Sequence, residues 1–268
     1  MPEYPFLKGH GTENDFVLLP DHDGSVHGGL SPEEMAGRVR ALCDRRAGIG
    51  GDGVLRVVRE GELWFMDYRN ADGSVSEMCG NGVRVFARHL VEEGLVDGSA
   101  PIPIGTRDGV KTVTVDGDRI TVDMGTPTVL EESKVSVPGH TWVARHVDMG
   151  NPHAVAFVDS LADAGTLLEA PEHDPATYPN AVNVEFVVRR GEQHLAMRVH
   201  ERGSGETRSC GTGACAVMVA AAIADGRGPG SAYRVDVPGG TLTVTWTTEG
   251  RVLLTGPAVI VARGRTSL

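Results

Sequence analysis

The chain has 268 residues, 40% of them hydrophobic and 23% charged, enough apolar content to bury the core of one large or two medium domains and too much for a disordered segment. Its 25 Lys+Arg against 36 Asp+Glu give a formal charge of -11 with no basic cluster, which excludes a phosphate-backbone binder and with it nucleic acid as a partner. The opening Met1-Pro2-Glu3-Tyr4-Pro5 carries no secretory signal, and the longest apolar run, 214–224, is about half the ~20 residues of a bilayer span, so the expectation is a cytoplasmic protein without membrane contact.

A shift of 131 residues lays 51–91 over 182–222 without a gap, setting Val57 on Val188, Arg59 on Arg190, Met66 on Met197 and Cys79 on Cys210. In chain order, His22 and His27 come first, in a polar loop where solvation is expected. Residues 54–58 and 63–69 then read as strands about a turn near Gly61. Cys79-Gly80-Asn81-Gly82 opens a helix whose Val83, Phe86, Ala87, Leu90 and Val91 form one buried stripe, with Arg84, Arg88 and Glu92 expected outside and Gly94 as the stop. Short β-rich runs follow at 111–115 and 119–123, and the crossing between halves is expected at 125–129.

The second copy repeats the plan. Strands are predicted at 184–188 and 195–200, then Cys210-Gly211-Thr212-Gly213 opens a helix over 214–224 that is apolar all round and so belongs inside its domain. Further β-rich runs lie at 242–246 and 252–254. Two copies in one chain predict two pseudo-symmetric α+β domains.

Four cysteines without Cys-x-x-Cys spacing disfavour a zinc ribbon, and a reducing compartment disfavours disulfides. Cys43 and Cys215 read as core. Cys79 and Cys210 stand before glycine at helix starts, where backbone N–H groups lower a thiol's pKa and bind an anion such as a carboxylate. A disulfide oxidoreductase wants both thiols in one Cys-x-x-Cys, which is absent, a zinc site wants further ligands that flank neither cysteine, and a cysteine hydrolase leaves the duplicated cysteine unexplained. Racemisation explains it, because inverting a stereocentre needs a base on one face and an acid on the other. No pyridoxal-phosphate lysine motif is recognisable.

These residues carry a resemblance. Asn70-Ala71-Asp72-Gly73-Ser74, Met78-Cys79-Gly80-Asn81-Gly82, Met149-Gly150-Asn151-Pro152-His153, Glu201-Arg202-Gly203-Ser204-Gly205-Glu206-Thr207 and Ser209-Cys210-Gly211-Thr212-Gly213-Ala214 resemble the signatures of the diaminopimelate epimerase family. His10-Gly11, Asn14-Asp15-Phe16 and Gly256-Pro257-Ala258 match as well. The resemblance implies a cofactor-independent epimerase interconverting LL- and meso-2,6-diaminopimelate in lysine biosynthesis, with Cys79 and Cys210 as acid and base and no metal. It implies that Gly80, Asn81, Gly211 and Thr212 hold the reacting carboxylate and that Asn14, Asn70, Asn151, Asn183 and Arg202 bind the substrate. His153 and Glu201 resemble the catalytic residues placed beside the two thiols, where they can take or hold a proton.

The implied fold is α+β, two similar domains, each a curled mixed sheet around a central helix, and the family commonly forms homodimers. The expected halves are 1–124 and 125–258, with the last strand, about 259–268, returning to the first. Two positions depart from some relatives: Glu13 stands where glycine is found, and Gly53 where glutamine is found. Asn70 and Asn151 also adjoin turns, where asparagine is common for local reasons. Arg202 has the planar fork that a diacid's carboxylate favours. The rival readings are a proline or hydroxyproline racemase, whose first motif reads Cys-Gly-His-Gly where this chain has Asn81, a phenazine-biosynthesis-like isomerase without the paired thiols, and a non-catalytic binding homologue.

Overall fold

β-branched and aromatic residues alternate with polar ones along short runs ended by glycine turns, and in the computed structural model, which describes residues 3–268, these runs become strands wrapped around two buried helices. The chain divides into two compact units: unit 1 runs to Val122 and takes back Gly256–Leu268, while unit 2 is Asp123–Thr255.

Unit 1 contains β1 (Tyr4–Gly11), β2 (Asn14–Pro20), α1 (Pro32–Cys43), β3 (Gly53–Glu60), β4 (Leu63–Asn70), α2 (Gly80–Glu92), β5 (Ile102–Thr106), β6 (Gly109–Asp116) and β7 (Arg119–Asp123). The last strand, Val259–Thr266, pairs antiparallel with β1. β1–β2, β3–β4, β5–β6 and β6–β7 are antiparallel, and β2–β3 and β4–β5 are parallel. α2 touches β1 to β6 and the last strand, so the sheet curls around it.

Unit 2 contains β8 (Thr128–Val129), β9 (Ser133–Val137), β10 (His140–Asp148), β11 (Pro152–Phe157), β12 (Glu172–His173), β13 (Asn183–Gly191), β14 (His194–Glu201), β15 (Gly205–Thr207), α3 (Gly211–Ala224), β16 (Ser231–Val237), β17 (Gly240–Trp246) and β18 (Val252–Pro257). Its ladders repeat those of unit 1: β10–β11, β13–β14, β16–β17 and β17–β18 are antiparallel, and β11–β13 and β14–β16 are parallel. α3 touches β10, β11, β13, β14, β16 and β17, the counterparts of the first six strands around α2. The duplication therefore spans nearly the whole of each unit.

It is not free of gaps. Met66 pairs with Val57 and Met197 with Val187, so Val57 corresponds to Val187, one residue short of the position the uniform shift assigns. The cause is an irregularity between Arg189 and Gly191, an extra residue in β13 at the hairpin end.

The helices stop alike. Gly94 (φ 66°) and Gly226 (φ 65°) take the left-handed conformation, and the next N–H returns to the helix, Leu95 to Leu90 and Arg227 to Ala222. Two expectations fail. Arg84, placed outside by the stripe, is fully buried because the sheet encloses α2 on every side. His27, expected in solvent, is buried edge-on against Tyr4 and accepts a hydrogen bond at Nδ1 from Arg38. His22 is half-buried against Trp64. Cys43 and Cys215 lie in the core.

Candidate active site

In unit 1, Cys79 is the N-cap of α2, extended at φ -143°, and its sulfur accepts the Gly82 N–H at 3.4 Å. Its thiol donates to Asn14 Oδ1 at 3.5 Å, an oxygen that also accepts from Asn81 Nδ2 at 3.1 Å. The other end of the Asn14 amide donates to Asp52 Oδ2 at 2.8 Å, and Asn81 Oδ1 accepts from Arg84 Nη2 at 2.7 Å. A buried cation at one end and a carboxylate at the other thus fix which way both amides point. Asp52 is itself held by Arg45, which also clasps Asp15. Burial alone would raise the Asp15 carboxyl, but Arg45 and Lys8 hold it below the usual carboxylate range. Asn70 is turned locally, donating to Ser74 Oγ at 3.0 Å in the turn before Cys79.

In unit 2, Cys210 is the N-cap of α3 at φ -119°, its sulfur accepting the Gly213 N–H at 3.3 Å and lying 3.5 Å from Thr212 Oγ1. The first two N–H groups of a helix lack acceptors within it, so Gly211 and Thr212 present donors beside the sulfur. Burial raises the Glu201 carboxyl above its ordinary value; the Thr207 hydroxyl, which donates to it, pulls the other way, as do His153 and Cys210. His153 is fully buried, with Nδ1 2.6 Å from Glu185 Oε1 and Nε2 3.0 Å from Asn151 Oδ1. Asn183 spends its amide internally, donating to Pro152 O and accepting the Arg202 N–H. The Arg202 side chain is exposed and gives one hydrogen bond to Asn180 O.

Each cysteine caps a helix, as expected, but a lowered Cys210 thiol is not found. Burial, then Glu201 and Glu185, push it well above its ordinary value, and the contacts from Thr212 and Gly213 do not offset this. The structure gathers Cys79, Asn14 and Asn81 in one cluster, and Cys210, Thr212, Glu201, His153 and Asn151 in another. It adds Asp52, Arg84, Thr207 and Glu185, which sequence reasoning passed over. Glu185 had a signal: it is a lone acid inside the otherwise apolar run Val184-Glu185-Phe186-Val187-Val188, and a charge there must be paired.

The halves also differ in a regular way. Gly53 pairs with Phe16 and faces Asn70, as Asn183 pairs with His153 and adjoins Glu201. A Cβ on Gly53 would lie 2.5 Å from Arg69 O, so this backbone has no room for a glutamine side chain. Among the described residues no three His, Cys, Asp or Glu are grouped to hold a metal ion, and no helix is long and apolar enough to cross a membrane.

A family model described as diaminopimelate epimerase matches residues 6–130 and 145–261. A diaminopimelate epimerase of Streptomyces coelicolor is 57% identical over 280 residues, covering 97% of this chain and 94% of its own. One from Thermobifida fusca is 47% identical over 275 residues, covering 97% and 96%. Among solved structures, a phenazine biosynthesis protein from Bacillus anthracis matches over 100% of both chains with a TM-score of 0.75 and 17% identity. A hydroxyproline epimerase from Agrobacterium vitis, solved with trans-4-hydroxy-L-proline, matches over 99% of this chain and 93% of its own, with a TM-score of 0.72 and 15% identity. At such identities these two structures speak for the fold alone.

Proposed function

The chain belongs to the diaminopimelate epimerase family, and from that premise we propose that it interconverts LL- and meso-2,6-diaminopimelate for lysine biosynthesis, without pyridoxal phosphate. The observation that carries the reading is the duplicated cysteine cap: in each unit one sulfur takes the third N–H of a central helix. Epimerisation removes the Cα proton from one face and returns a proton to the other, so it needs one thiolate and one thiol. The first sulfur takes the proton, the electron pair of the C–H bond passes into the α-carboxylate, and the second thiol gives its proton to Cα. The first-turn N–H groups of Gly80, Asn81, Gly211 and Thr212 are suited to hold that carboxylate as its charge grows. Burial beside Glu201 and Glu185 keeps Cys210 in the thiol form, the form that delivers a proton.

On this reading Asn14, Asn70, Asn151, Asn183 and Arg202 bind the rest of the substrate, and the exposed fork of Arg202 takes the distal carboxylate. Arg202→Lys keeps the charge but loses the bidentate geometry, and is expected to raise KM for diaminopimelate at least tenfold, a loss of ~1.4 kcal/mol or more. The family resemblance further supports a homodimer, and four cysteines outside any disulfide suit the reducing cytoplasm. Light scattering checks the first.

The test of the whole reading is isotope exchange. Reduced enzyme in deuterated water is expected to incorporate deuterium at Cα of LL- and meso-diaminopimelate but not of proline, and Cys79→Ala or Cys210→Ala should each abolish epimerisation while leaving the circular-dichroism spectrum intact. Exchange into proline alone, or normal turnover in either folded variant, contradicts it.

A further inference from the structure

His153 and Glu185 form a pair that unit 1 does not repeat. Strand register puts Phe16 where His153 stands and Leu55 where Glu185 stands. Phe16 and Leu55 in unit 1, and Glu185 in unit 2, lie beneath the glycine of the helix's first turn: a Cβ on Gly82 would meet Leu55 Cδ2 at 3.3 Å and Phe16 Cζ at 3.6 Å, and one on Gly213 would meet Glu185 Oε1 at 2.7 Å. Unit 1 fills this place with hydrocarbon, so packing does not require charge here. In unit 2 both side chains are 0% exposed, and Glu185 Oε2 is buried with no hydrogen-bond donor among the described residues. A buried carboxylate is costly unless an opposite charge faces it. Both ring nitrogens of His153 face oxygens, Glu185 Oε1 and Asn151 Oδ1, an arrangement that a ring donating from both satisfies when Glu185 is ionised.

We infer that Glu185 is a positioning residue for His153: it holds the Nδ1 proton, keeps the ring an imidazolium and leaves the Nε2 proton as the one the ring can give. When that proton passes to a cysteine thiolate, which becomes a thiol, the N–H electron pair stays on Nε2 and the Nδ1–H···Oε1 bond persists, so the ring returns to the same orientation for the next turnover. The other titratable groups around the pair are His146 on β10, Glu201 on β14, Cys210 on α3 and Tyr178. Of these Glu201, like Glu185, favours charge on the ring. The inference rests on the reading, implied by the family resemblance, that His153 stands beside a thiol where it can take or hold a proton.

The test combines kinetics with side-chain ¹⁵N NMR of the intact protein at neutral pH. In the wild type His153 should show both ring nitrogens protonated, and in Glu185→Gln only one. Glu185→Gln should lower kcat about 100-fold with KM within about threefold, in the range of general acid–base contributions, and Glu185→Asp should recover part of the loss. His153→Gln should be as slow, with no further loss on adding Glu185→Gln. A singly protonated ring in the wild type, or a folded Glu185→Gln with wild-type kcat beside a slow His153→Gln, overturns the inference alone; a fully active His153→Gln removes the reading beneath it. Should Glu185→Gln fail to fold, the double variant His153→Phe, Glu185→Leu supplies unit 1's hydrocarbon pair. It is expected to melt at or above the wild-type temperature with kcat lost, whereas wild-type turnover in it overturns the inference.

Discussion

Glu13 has φ 61° and its neighbour Thr12 φ 50°, the pair of left-handed residues that a two-residue β1–β2 hairpin demands and that glycine or asparagine fills without strain. A glutamate there costs about 1 kcal/mol. Glu13→Gly is expected to raise unfolding stability by up to ~1 kcal/mol, partly offset by a more flexible unfolded chain, as urea denaturation would show. The two first-turn glycines should respond differently to a methyl group. At Gly82 it meets the movable tip of Leu55; at Gly213 it meets Glu185 Oε1 and, at 3.2 Å, the Cys210 sulfur. Gly213→Ala should therefore lower kcat at least tenfold more than Gly82→Ala, and equal losses would mean that the Glu185 carboxyl is not held where the structure puts it. Single residues were also where the sequence was hardest to read. Arg84 has the polar spacing of a surface residue, and only the enclosure of α2 makes it the buried cation that orients Asn81.

Between elements, correspondence is set by hydrogen-bonded ladders, whereas a sequence shift records only identity. The cysteine motifs, both central helices and the four strands leading into them were legible, because a repeated Cys-Gly-x-Gly and apolar periodicity survive duplication. The outer pairs β1–β2 and β10–β11 were not, since loops of unequal length separate them from the repeat, and the extra residue near Gly191 moved every partner upstream of it by one. That slip hid the match of Leu55 with Glu185. α1 went unread although its start is written plainly: Ser31 accepts from the Glu34 N–H, Glu34 returns a bond to the Ser31 N–H, and Pro32 opens the first turn. Met35, Val39 and Leu42 then pack on Val17, Leu19 and Val54. Ser31→Ala is expected to cost about 1 kcal/mol of stability without changing KM, because α1 braces β2 and β3 and contributes no group to the cysteine clusters.

Across the whole molecule, stability should depend on pH through two histidines in unit 1. Burial lowers His27 to about 4, against the raising effect of Asp21 and with help from Arg38 and Arg56. His89, in the last turn of α2 with neither ring nitrogen hydrogen-bonded among the described residues, is lowered to about 4 by burial, with Glu93 opposing. His27 accepts from Arg38 at Nδ1, so a second proton would set two cations face to face. The unfolded chain takes up these protons near pH 6.5 and the folded chain only near 4, so the unfolded state binds more protons between the two. Stability is therefore full above about pH 6.5 and is lost as pH falls toward 4, by up to about 3 kcal/mol for each ring. The depressed carboxylates, Asp15 among them, add a further loss below the ordinary carboxylate range, at lower pH than the histidine window. Urea denaturation at pH 7, 6, 5 and 4 separates the two. The wild type should weaken across this range, and the double variant His27→Leu, His89→Leu should lose most of that slope, the remainder coming from His146 and His200, which burial also lowers. An equal slope in the double variant would assign the acid sensitivity to other groups and remove these histidines as its cause.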